Sequence, residues 1–137
     1  MKTKIAVLMT TFNRKEMTKS CIESLVNGNP DIDFRFVITD DNSSDGTDEM
    51  LRSLPYKIKV LSGNGNLFWN GGMRKSLAYA LLGTEKYDYA MLVNDDVRFY
   101  ENAIEKQLEF NQLYKNNKYA DRIDMDKIID QRTGKRA

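Results

Sequence analysis

The sequence predicts an α/β fold: a mostly parallel sheet with helices flanking it. Three observations carry that prediction. Four short, largely apolar runs rich in β-branched or aromatic residues, Ile5–Met9, Phe34–Ile38, Ile58–Leu61 and Tyr89–Val93, read as strands. Each is followed by a stretch that suits a helix, most with apolar residues at helical spacing. Strand and helix then alternate along the chain, the signature of βαβ units around a parallel sheet. The 137 residues fit one domain, since compact domains mostly run to about 100–150 residues.

Each element has its own justification. Ile5-Ala-Val-Leu-Met9 is continuously apolar, as expected of a strand buried on both faces. Asn13 is placed to cap the next helix, with Glu16 three residues on to close a capping box. Met17, Cys21, Ile22, Leu25 and Val26 line one face of that helix, and Gly28 and Pro30 stop it. Phe34-Arg-Phe-Val-Ile38 follows as the second strand. A short helix from about Thr47 is ended by Pro55. After the short third strand, Gly71-Gly72 opens a helix marked by Met73, Leu77, Ala78, Leu81 and Leu82, and Gly83 ends it. The fourth strand leads to a helix carrying Ile104, Leu108, Phe110 and Leu113. Residues 1–115 therefore read as one α/β unit. Residues 116–137 read as a charged, weakly periodic tail in which only Ile128-Ile129 would seed a strand.

Composition excludes several functions. A net charge of +1 argues against a polybasic nucleic-acid or membrane-surface binder. No apolar run approaches the roughly 20 residues of a membrane span, and the N-terminus lacks a signal-peptide pattern. One cysteine excludes an internal disulfide and suits a reducing, cytoplasmic setting. Without histidine, zinc sites and histidine-based triads are out. Any metal must be held by oxygen.

Right-handed parallel crossovers bring the C-terminal ends of the strands to one edge, where open α/β sheets bind ligands. The first strand runs into Thr10-Thr-Phe-Asn-Arg14, the second into Asp40-Asp-Asn-Ser-Ser-Asp-Gly46, the fourth into Asn94-Asp95-Asp96. Carboxylates gathered on one rim repel unless a cation sits among them. A divalent ion is the simple solution. The partial calcium-loop pattern from Asp41 fails, because Arg52 stands at its twelfth position and a strand precedes it. Gly63-x-Gly65 lacks the third glycine of a dinucleotide fingerprint, and no GK[ST] occurs. Receiver-like and phosphatase-like folds want an acid just after the first strand, where this chain has Thr-Thr-Phe-Asn.

Four segments together resemble the N-terminal half of family 2 glycosyltransferases of the GT-A fold. They are Val7-Leu-Met-Thr-Thr-Phe-Asn-Arg14, Val37 to Thr47 with its Asp-Asp-Asn-Ser-Ser-Asp-Gly core, Asn64-Gly-Asn-Leu-Phe-Trp-Asn-Gly-Gly72 and Met91-Leu-Val-Asn-Asp-Asp96. They come in the family's order, and the tryptophan-glycine segment is similar to a rhamnosyltransferase-like branch. Family members usually run much longer, so the chain reads as truncated before the acceptor-binding part and its general base.

The resemblance implies site roles. Phe12 would stack on a nucleotide base framed by Thr10, Asn13 and Arg14; unaided, Phe12 reads equally well as core and Asn13 as a cap. Asp41 would accept from the imide N–H of uracil or thymine, with Asp40 holding the loop. Ser43, Ser44 and Asp45 suit turn and cap chemistry better than binding. Asp96 would ligate Mn²⁺ or Mg²⁺, and Asp95 would contact the ribose or a metal-bound water. Asn94 replaces a frequent first acid. Gly72, opening its helix, would face the diphosphate, with Arg74 or Lys75 reaching it; a tight turn with solvated charges explains them as well. For Phe68, Trp69 and Cys21, core packing is the simpler reading. The implied activity is transfer of a sugar from a UDP- or dTDP-sugar to a glycan or lipid-linked acceptor in polysaccharide synthesis, in the cytoplasm or at the inner face of the membrane. The competing reading is a catalytically inactive nucleotide-binding module. Uncovered apolar surface would favour a homo-oligomer.

Overall fold

The structure, a computed structural model, describes residues 2–115. The expectations for the tail, residues 116–137, lie outside the described residues. The elements run β1 (Thr3–Thr11), α1 (Lys15–Gly28), β2 (Ile32–Asp40), α2 (Thr47–Ser53), β3 (Ile58–Ser62), α3 (Phe68–Leu82), β4 (Tyr89–Leu92) and α4 (Ala103–Lys115). The described strands form one parallel sheet in the order β3-β2-β1-β4. The predicted α/β architecture is therefore met. No helix among the described residues is long and apolar enough to cross a membrane.

Because β1 is central, its alternate side chains feed two cores. Ile5, Val7 and Met9 pack with Cys21, Ile22 and Leu25 of α1, Met50 and Leu51 of α2, and Ile104 of α4. Ala6 and Leu8 pack on the other face with Val37, Met73 and Ala80. That second face belongs to α3, which meets β1 and β2. Its sheet-facing row is Gly72, Ser76 and Ala80, small residues four apart that let helix and sheet approach closely. The fully buried Ser76 hydroxyl donates to the Met9 carbonyl at 2.9 Å and meets Thr39 Oγ1 at 2.8 Å.

Two helix termini differ from expectation. Gly71-Gly72 does not open α3, which starts three residues earlier at Phe68. The Gly71 N–H already bonds the Leu67 carbonyl at 3.0 Å, so these glycines lie within the helix. Asn13 and Glu16 form no capping box: Arg14 holds the N-cap position without a side-chain cap. Asp45 takes over instead, accepting the Lys15 N–H at 3.0 Å and the Thr47 N–H at 3.1 Å. One carboxylate thereby serves the starts of α1 and α2, where a negative charge is favourable. Asn29, fully buried after α1, does the same for α4. Its Oδ1 accepts from Ile104 and Glu105 N–H while its amide donates to the Leu25 carbonyl.

Candidate functional site

The register of the sheet decides what can meet at its C-terminal edge. Thr11 pairs with Asp40, Ser62 of β3 also pairs with Asp40, and Val93 donates to the Leu8 carbonyl just beyond β4. The loops after β1, β2 and β3 and the turn after β4 therefore open side by side.

The first two loops are stitched together. Asn13, at φ +50°, donates its N–H to Ser43 Oγ at 2.9 Å and accepts the Ser44 N–H on Oδ1 at 2.7 Å. Asp40 holds the same loop by accepting the Ser43 N–H at 3.2 Å. The turn and cap roles expected for Ser43, Ser44 and Asp45 are what these bonds describe. Phe12 beside them is 51% exposed, so it is not core and its ring is available to a flat ligand.

Asp41 joins the second loop to the third. Its buried carboxylate accepts three backbone N–H groups: Gly65 at 2.8 Å, and Leu67 and Phe68 at 3.1 Å each. Leu67 and Phe68 begin α3, so Asp41 is a remote cap for that helix. A carboxylate has about four acceptor positions, and three are taken here. Asp41 is thus first an organiser of the 63–68 segment, which the resemblance did not foresee. Phe68 within it sits at φ +57°, a conformation costly for a bulky residue that the capping bonds hold in place.

The acidic pair lies at the end of β4. Arg14 Nη1 stands 3.3 Å from Asp95 Oδ1 and 3.8 Å from Asp96 Oδ2. Its guanidinium bridges the two carboxylates, where a cation is wanted. The pair does not cap the next helix, since α4 begins at Ala103 and is served by Asn29. Asp95 is buried, Asp96 exposed. Burial pushes the Asp95 carboxyl above the usual range, with Asp96 adding to it, while the Thr11 hydroxyl and Arg14 pull the other way. Beneath them Cys21 is fully buried as expected, and burial, then Asp95, push its thiol up to about 12. That thiol is packing, not a nucleophile.

The raised Asp95 pKa has a measurable consequence. A carboxyl that binds its proton more tightly when folded loses stability as pH rises from the unfolded carboxylate range through the folded pKa. Asp95→Asn mimics the protonated form. It should raise the unfolding midpoint at pH 7, and the gain over the native chain should vanish as the pH falls below about 3.8–3.9. An equal midpoint at pH 7 would contradict the burial argument.

Other expected contacts fall elsewhere. Gly72 lies inside α3 with its α-carbon against Thr10: an added Cβ would stand 2.0 Å from Thr10 Oγ1 and 2.7 Å from Thr10 Cβ. It is a packing glycine, not an anion-binding N-terminus. The buried Thr10 side chain is correspondingly occupied by this contact. Lys75 donates to the Ser62 carbonyl rather than pointing free. Arg74 is exposed and has no side-chain partner among the described residues. Phe68 and Trp69 are 73% and 51% exposed, which overturns the core reading. The indole Nε1 of Trp69 donates to Asn94 Oδ1 at 2.6 Å, linking the start of α3 to the acidic turn. The apolar Leu67 and Phe68 before Trp69 hid this in the sequence, and only the Asn70 and two glycines after it pointed away from a core position.

The chain matches the profile of "Glycosyl transferase family 2" over residues 6–127. It belongs to glycosyl transferase family 2. Solved structures agree on the fold of this family 2 chain. The crystal structure of S. aureus TarS 1-349 in complex with UDP superposes with a TM-score of 0.68 at 17% identity, covering 82% of this chain and 33% of that one. The mannosyltransferase PcManGT from Pyrobaculum calidifontis, in complex with GDP-Man and Mn²⁺, gives 0.65 at 11% identity, covering 80% and 32%. The family 2 chain therefore spans about a third of the length of the solved structures it matches. Comparison with curated protein sequences gives no match.

Proposed function

We propose that this chain is the donor-binding part of a metal-assisted glycosyltransferase that takes a UDP- or dTDP-sugar. The observation that carries the reading is the Arg14–Asp95–Asp96 cluster at the sheet edge, beside the exposed Phe12 ring. In this reading Phe12 stacks on the base, worth about 1–3 kcal/mol. The remaining acceptor position of Asp41 takes the imide N–H. The stitched 12–14 and 41–45 loops hold both groups without further ordering cost.

The donor set fits a hard divalent ion. No group of three His, Cys, Asp or Glu side chains capable of holding a metal occurs among the described residues. Two consecutive carboxylates with diphosphate oxygens and water completing the shell suit Mg²⁺ or Mn²⁺. A bound ion of this kind supplies neutralisation of the charge that develops on the leaving diphosphate. Asp96, the exposed member, would be the direct ligand and Asp95 the buried support. Arg14, displaced from the pair, would then turn its charge toward the phosphates. A sugar nucleotide as donor implies polysaccharide or glycan assembly on a glycan or lipid-linked acceptor, on the cytoplasmic side.

Calorimetry with UDP and dTDP tests this. Binding should strengthen with Mn²⁺, and Asp96→Ala should remove that gain, weakening binding by about tenfold or more. Equal affinity in both proteins would defeat the metal assignment. Transfer to an acceptor should be absent from this chain alone, because Asp40, Asp41, Asp45, Asp95 and Asp96 are all committed to loop, helix or Arg14 contacts. A general base for the acceptor hydroxyl is a separate requirement.

A further inference from the structure

We infer that the Trp69–Asn94 pair forms an oriented hydrogen-bond donor for the diphosphate of the bound nucleotide. The inference rests on the donor-binding reading above and adds two residues to it. Asn94 immediately precedes the acidic pair, at a position where an acid would offer only acceptor oxygens. An amide offers either an acceptor or two N–H donors, depending on which way it is turned. Trp69 settles the turn. An indole N–H can only donate, and Nε1 lies 2.6 Å from Oδ1, so the oxygen is used on Trp69 and the amide nitrogen is directed away from it. That nitrogen has no hydrogen-bond partner among the described residues, yet it is not a buried orphan; among those residues the single buried side-chain polar atom without a partner is Glu105 Oε2. It is accessible, unpaired and one residue from Asp95.

The chemistry this suits is an anionic oxygen. A neutral donor adds no further negative charge to a site where the single Arg14 faces two carboxylates, whereas a third acid there would raise the repulsion. A hydrogen bond from the amide to a phosphate oxygen is charge-assisted, the stronger kind. The Asn94 backbone is fixed as well, its carbonyl accepting the Cys21 thiol at 3.6 Å and the Val97 N–H at 3.3 Å. Asn94 is therefore a binding residue for the diphosphate, and Trp69 a positioning residue that acts through it.

The test is calorimetric titration of the full chain and its variants with UDP and UMP at one saturating Mn²⁺ concentration. Asn94→Ala should weaken UDP about tenfold or more, the effect of losing one hydrogen bond to a charged group, and leave UMP nearly unchanged. Asn94→Asp keeps an acceptor for the indole but not the donor, and should weaken UDP at least as much. Trp69→Phe keeps the ring and frees the amide to flip, for about a threefold loss. In the Asn94→Ala background Trp69→Phe should cost nothing more, since its effect passes through the amide. Both side chains sit at the rim, and matching thermal midpoints confirm that each variant folds. If the native chain binds neither nucleotide, the donor-binding reading itself fails. If it binds UDP but Asn94→Ala binds as well, or loses UMP equally, this inference is overturned. Additive losses in the double variant would remove Trp69 from it.

Discussion

Asp41→Ala should lower the stability of the chain by about 3–5 kcal/mol and abolish nucleotide binding. The carboxylate is buried and accepts three backbone N–H groups from residues 65–68. Hydrogen bonds to charged groups contribute about 1.5–3 kcal/mol each, and donors left unpaired in the interior cost a similar amount. The three bonds act as one unit, so their contributions do not simply sum. Phe68 offsets part of the loss, because releasing the segment lets its strained φ of +57° relax. Against a total stability of roughly 5–15 kcal/mol for a domain, the effect is large. Urea unfolding reads it as a lower midpoint. Asp41→Asn should recover only part, since its amide nitrogen would face donors that the second oxygen now accepts. A native midpoint in Asp41→Ala would show that the 63–68 segment is ordered by something else.

Gly72→Ala is the second large effect, and its neighbour provides the control. At Gly72 a Cβ meets Thr10 Oγ1 at 2.0 Å and Thr10 Cβ at 2.7 Å. The hydroxyl can rotate away, but the Cβ of a central strand cannot, so α3 must lift from the sheet. Overpacking of this kind costs about 1–3 kcal/mol or more. The helix preference for alanine over glycine returns up to about 1 kcal/mol, which is too little. At Gly71 the nearest atoms are only Leu67 side-chain carbons, from 3.2 Å. There the propensity gain should win or break even. Gly71→Ala is thus expected to unfold at or above the native midpoint and Gly72→Ala below it, by thermal denaturation. Thr10→Gly should partly rescue Gly72→Ala. Equal midpoints for the two alanine variants would mean that α3 does not press on β1 at this point.

Both cases mark the line between what was legible in the sequence and what was not. The strands and helices were legible because each is announced by a local period. Ile5 to Met9 is apolar without interruption, and Cys21, Ile22 and Leu25 recur at helical spacing. Once the βαβ alternation is read, right-handed crossovers place Phe12, Asp41, Asp95 and Asp96 at one edge without coordinates. The sheet register agrees with that placement. Sequence alone therefore determined the fold class, the order of elements and the rim on which the polar residues stand.

Tertiary structure decided which partner each polar group has. Asp41 caps α3 from 26 residues away, Asn29 caps α4 from 75, and Asp45 displaces the Asn13–Glu16 box in serving α1. Arg14 turns to the carboxylates of β4 rather than to the loop beside it. Trp69 leaves the core for Asn94, and Gly72 proves to be a contact with Thr10 rather than a helix start. The physical reason is common to all of them. A hydrophobic period repeats within one element and is satisfied by any apolar neighbour, whereas a hydrogen bond needs one donor and one acceptor at about 3 Å. Which groups come that close depends on register and helix rotation, and those are settled only when the elements pack.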